Sequence, residues 1–139
     1  MRRIFLIVLC LSASCLLFAA EQFVSFYGGD LKLSGGYNLC VDQNDFDGVK
    51  MAAENLRSDI QRVSSTYPGI VNSPDKETKI IIGTIGQSKM ADKYAEPFVK
   101  QLKGKREKFI ITTISDRLVI LGSDKRGTIY GIYELSRQI

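Results

Sequence analysis

The 139-residue chain has no histidine and no tryptophan, and only three cysteines and three prolines. Without histidine there is no Ser-His-Asp or Cys-His triad, and the commonest metal ligand is missing. Without tryptophan the chain lacks the strongest ring for stacking a sugar. Cys10 and Cys15 fall in the first twenty residues, which leaves Cys40 alone in the remainder. That count excludes an internal disulfide and a cysteine-based zinc site there. Cys40 falls in an apolar stretch and reads as a buried, inert thiol.

The first twenty residues read as an export signal. Arg2 and Arg3 precede an apolar run from Ile4 to Ala20 that ends on small residues. Seventeen residues is the lower limit for a membrane span, and no basic stop-transfer cluster follows. We expect cleavage after Ala19 or Ala20, and a mature segment of 21–139 in the periplasm or at the cell surface of a bacterium. The Ser12–Cys15 stretch is a poor lipoprotein box, because the apolar run continues past it. Losing Arg2 and Arg3 lowers the formal charge from +4 to +2. The net charge therefore gives little reason to propose a nucleic-acid partner. About 119 residues suffice for one domain with a real core.

Hydrophobic spacing outlines the mature segment. Short strands are expected at 31–33 and 37–41 around the Ser34-Gly35-Gly36 turn. Phe46, Val49, Ala53, Leu56, Ile60 and Val63 share one face of a helix from Asp45 to about Thr66. Asn44 or Asp45 can cap its start, and Tyr67-Pro68-Gly69 ends it. Lys50 with Glu54, and Asp59 with Arg62, are spaced for ion pairs. The run 78–83 (TKIIIG) reads as a strand buried on both faces. Met90 to Leu102 reads as helix, broken at Pro97. Residues 109–114 and 118–121 form a hairpin around Ser115-Asp116, and a last helix starts at Asp124. The order β-β-α-β-α-β-β-α predicts an α/β fold, a two-layer or three-layer sandwich with a mixed sheet flanked by helices.

Few residues suggest chemistry. Gly83 to Ser88 follows a strand but lacks the lysine and spacing of a phosphate loop, so a plain turn is the ordinary reading. Lys100, Lys103, Lys105, Arg106 and Lys108 form a basic run that reads as a solvated loop. Tyr130 and Tyr133 can stack on sugar, but their helical spacing makes core the commoner role. Gly127 and Gly131, four apart, predict that the last helix lies very close to the sheet. The polar corner Asp124, Lys125 and Arg126 is the candidate contact for a ligand or a neighbouring domain. The bland reading of Asp124 is a helix cap. No catalytic residue, metal ligand or cofactor is assigned.

Four segments carry a family resemblance: AAENLRSDIQRVS, TKIIIGTIGQS, KREKFIITTISDRLVILGSDKRG and GSDKRGTIYGIYELSRQI. Together they resemble the N-terminal domain of family 115 glycoside hydrolases, the xylan α-1,2-glucuronidases, over about residues 38–139. A looser pattern (Gly127, Tyr130, Gly131, Leu135) is also similar to N-terminal domains of hexosaminidases and other α-glucuronidases. The resemblance implies a non-catalytic accessory domain ahead of a catalytic barrel that acts on glucuronoxylan. A barrel typically needs about 250 residues, so it is not contained here. The last helical pattern also reaches residue 139 without a closing cap, and we expect this chain to be one part of a longer enzyme. The alternatives are the same domain of a hexosaminidase-like enzyme, and a stand-alone exported glycan-binding domain.

Overall fold

The computed structural model describes residues 22–25 and 29–139. The expected signal at 1–20, with Cys10 and Cys15, lies outside the described residues. Among the described residues, no helix is long and apolar enough to cross a membrane.

Five strands form one sheet: β1 (Asn38–Val41), β2 (Gly69–Val71), β3 (Thr78–Thr84), β4 (Phe109–Ile114) and β5 (Arg117–Gly122). The sheet order is β2-β1-β3-β5-β4, with only the β4–β5 pair antiparallel. The helices are α1 (Asp47–Ser64), α2 (Lys89–Ala95), α3 (Val99–Leu102) and α4 (Lys125–Gln138). Helices α1 and α4 cover one face of the sheet; α2 and α3 cover the other. The result is a three-layer α/β sandwich with a mixed sheet.

The centre follows from alternation along β3 and β5. Ile80 and Ile82, with Leu118 and Ile120, point into the layer under α1 and α4. Ile81, Val119 and Leu121 point into the layer under α2 and α3. Side chains two apart share a face, so a strand covered on both sides is apolar throughout. Each fully buried isoleucine or leucine contributes about 1.5–3 kcal/mol by leaving water.

The helix edges depart from the sequence expectation. Val49, Ala52, Ala53, Leu56 and Ile60 bury the inner face of α1. Phe46 and Val63, at its two ends, remain 37% and 47% exposed. The N-cap position is Phe46, without a side-chain cap; the Asp45 carboxylate is used elsewhere. Lys50 pairs with Asp47 at 2.8 Å rather than with Glu54, while Asp59 and Arg62 pair at 3.0 Å as expected. The helix stops at Ser65, which is left-handed (φ 58°), before Tyr67 and Pro68 are reached. Pro97 lies in a 3-10 turn, Glu96–Phe98, that separates α2 from α3.

Two strand expectations change. Residues 31–33 form no strand, because both edges of β1 are already taken, by β2 and by β3. Leu31 and Leu33 pack against the core margin instead. Gly69, read from sequence as the last residue of the Tyr67-Pro68-Gly69 helix end, opens strand β2, Gly69–Val71. The late hairpin forms as expected, turning at Ser115 with φ 55°.

Both helical glycines are set by close packing. An added methyl at Gly127 would overlap the Lys108 carbonyl oxygen; at Gly131 it would press on Ile120 and Phe109. Here α4 approaches backbone at one end and the sheet at the other.

Candidate functional site

In open α/β sheets, ligands favour the crevice beyond the carboxyl ends of the strands where the strand order reverses. Here that place lies between β1 and β3. Asp45, 3% exposed, accepts the Thr84 N–H at 2.8 Å and the Phe46 N–H at 2.8 Å. Ser88 Oγ donates to Asp42 at 2.9 Å and caps α2 by accepting the Ala91 N–H. Gln87 Nε2 donates to the Asn44 carbonyl at 2.8 Å. Thr84 and Thr128 share a hydroxyl hydrogen bond of 2.7 Å, both side chains buried. The crevice is therefore closed by the protein's own polar groups. Between the end of β3 at Thr84 and the α2 cap at Ser88, residues 85–87 form a plain turn within that seal, with Gly86 left-handed (φ 77°).

Cys40 is fully buried in β1, and its Sγ lies 3.3 Å from Met90 Sδ. Burial, helped by the Asp42 and Asp75 charges, pushes its thiol pKa up to about 12. A thiol so held is not a nucleophile near neutral pH. Among the described residues, no group of three or more Cys, Asp and Glu side chains gathers closely enough to hold a metal ion.

The polar corner after β5 splits into two roles. Asp124 caps α4: its carboxylate accepts the Gly127 N–H at 2.7 Å and, from across the loop, the Glu107 N–H at 2.9 Å. The Glu107 bond first, then the Gly127 and Arg126 backbone groups and the Arg106 charge, outweigh partial desolvation. They hold the carboxyl below its usual pKa. Lys125 and Arg126 point to solvent. Arg126 Nη1 pairs with Glu107 at 2.8 Å, and its Nη2 donates to the Tyr130 hydroxyl at 2.9 Å. The Tyr130 bond and the Glu107 charge raise its pKa further, so the guanidinium is always charged.

Tyr130 and Tyr133 are not core residues. They are 39% and 45% exposed on the outer stripe of α4, while Ile132 and Leu135 supply its buried face. The Tyr133 hydroxyl accepts from Asn55 Nδ2 of α1 at 3.0 Å. Glu107 and Asn55 were not legible as site residues, because each reaches α4 from a distant part of the chain. The basic run is exposed at Lys100, Lys103, Lys105, Arg106 and Lys108. At the opposite end of the sheet, a groove of about 600 Å³ is bordered by Phe23, Leu33, Tyr37, Ile60 and Leu118.

Strand order and layering define a three-layer α/β domain whose β1–β3 crevice is closed by its own polar groups. The family described as glycosyl hydrolase family 67 N-terminus matches residues 37–135, and the chain belongs to it. Among solved structures it is similar to BtGH115A, a family GH115 4-O-methyl-alpha-glucuronidase with specificity for decorated arabinogalactans. Identity is 34% and the TM-score 0.66, over 75% of this chain and 13% of that one. It is also similar in fold to CpGH84D, at 15% identity and a TM-score of 0.55, over 73% of this chain and 17% of that one. No curated protein matches the chain. The chain thus spans a small part of the length of the glycosidases it resembles.

Proposed function

We propose that this chain is the N-terminal, non-catalytic domain of an exported glycoside hydrolase that removes glucuronic acid or its 4-O-methyl ether from a plant polysaccharide. The observation that carries the reading is the 34% identity to a 4-O-methyl-alpha-glucuronidase across three quarters of this chain. The closed β1–β3 crevice and the inert Cys40 support a non-catalytic role. Glucuronoxylan is the substrate expected from the sequence. Decorated arabinogalactan is the second candidate, because the similar enzyme is specific for it.

In this reading the catalytic carboxylates belong to a barrel elsewhere in the longer protein, and Lys125 and Arg126 lie on the face offered to a ligand or a neighbouring domain. Residues 1–20 act as the export signal, so the mature N-terminus falls after Ala19 or Ala20. The test compares the complete enzyme with residues 22–139 alone on glucuronoxylan and on decorated arabinogalactan. Uronic acid is released by the complete enzyme and not by the segment. Hydrolysis by the segment itself would overturn the division of labour.

A further inference from the structure

We propose that the outer stripe of α4 is an accessory binding site for acidic polysaccharide, in which Tyr130 and Tyr133 stack on sugar rings and Arg126 pairs with a uronic acid carboxylate. The proposal rests on the functional reading above for the kind of polymer involved. Its geometry is independent of that reading.

Two aromatic side chains face water on one helix, three residues apart. Residues at that spacing are surface neighbours, with Cβ atoms about 5–6 Å apart. Each ring is tethered through its hydroxyl, Tyr130 by Arg126 at 2.9 Å and Tyr133 by Asn55 at 3.0 Å. A tethered ring loses less freedom on binding than a loose one. A pyranose offers an apolar C–H face that suits the flat π surface of tyrosine, and rim hydroxyls that suit its polar tip.

Charge selects the acidic sugar. Arg126 keeps 62% of its side chain exposed. A guanidinium has five N–H donors. Those toward Glu107 and Tyr130 leave donors for a carboxylate, which arginine grips in a two-point fork. Lys125 is exposed beside it. Arg126 at one end and the Arg137–Glu134 pair at the other flank the tyrosines along the stripe. A protein interface would share this arrangement, and the melting temperature of the complete enzyme distinguishes the two.

The experiment is affinity electrophoresis of the 139-residue chain through gels holding 4-O-methylglucuronoxylan or the same polymer after carboxyl reduction. The wild type is retarded by the acidic polymer, more weakly by the reduced one, and less as salt rises. Tyr130→Ala and Tyr133→Ala each weaken retardation about two- to tenfold, the range of one stacking contact. Tyr133→Leu, which keeps apolar volume but loses the flat ring, does the same. Arg126→Gln removes the preference for the acidic polymer and, because it also releases the Tyr130 ring, weakens retardation by the reduced one. Unchanged circular dichroism shows that the variants fold. No retardation of the wild type, or equal retardation of every variant, overturns the site. So does a lowered Tm of the complete enzyme carrying the tyrosine variants with polymer binding intact, which would mark the stripe as a joint between domains. Uronic acid release from a short oligosaccharide by the complete enzyme is measured separately. Release without polymer binding sinks this site alone; absence of release sinks the functional reading.

Discussion

Asp124 shows how a residue that looks reactive can be committed to structure. Its carboxylate holds the first turn of α4 and the Glu107 backbone together. Asp124→Ala is expected to lower stability by about 1–2 kcal/mol, the upper part of the range for a helix cap, read as a shift in the urea midpoint. The pH dependence has a definite sign. Asp124 and Asp75 are both held below the ordinary aspartate value of about 3.9. Their stabilisation is complete above the unfolded-state value and is lost as pH falls through the folded one. The urea midpoint should stay level from pH 7 to pH 5 and drop below about pH 4. The gap between wild type and Asp124→Asn should narrow over that acid limb. The cap was legible in the sequence, because an aspartate between a strand and an apolar-periodic run has few other uses. The exposure of Tyr130 and Tyr133 was not. Their spacing fits either stripe of the helix, and only Gly127 and Gly131, pressed against Lys108 and Ile120, settle which stripe faces inward.

At the scale of elements, α4 is positioned by what it lacks. Gly127→Ala gains helix propensity of about 1 kcal/mol but drives a methyl into the Lys108 carbonyl, which is backbone and cannot turn aside. We expect a net loss of about 1–3 kcal/mol. Gly48→Ala is the contrast: its new methyl would meet the flexible tip of Ile129, at 3.3 Å, and the Lys125 side chain at an ordinary 3.9 Å. That variant should be neutral or slightly stabilised, and thermal melts of the pair measure the difference. Elements with strong periodicity were readable from sequence: α1, the apolar β3, the hairpin and α4. Strand β2 was not, because three residues after a proline carry too little pattern, and parallel pairing with β1 supplies what the local sequence omits. The failed strand at 31–33 has the converse cause. Its pattern was adequate, but β1 has two edges and both are occupied.

At the scale of the molecule, β1 sits inside the sheet with Cys40 fully buried. A thiol reagent at pH 8 should reach Cys40 only through global opening, the most protected class of motion. Peptide mapping after labelling in a urea series should give a Cys40 transition that coincides with loss of circular dichroism. Labelling of Cys40 well below the midpoint would show that β1 opens separately from the rest. The domain's class was legible from the alternation of strands and helices. Its chemistry was not, because a closed crevice depends on Asp45, Asn44, Gln87 and Ser88 meeting across the ends of two strands. Those hydrogen bonds have a practical consequence for ligand discovery. Fragment libraries directed at the spot where related sheets commonly seat a nucleotide will meet a surface that has already satisfied itself, and sugar-like probes belong on the flank of the last helix.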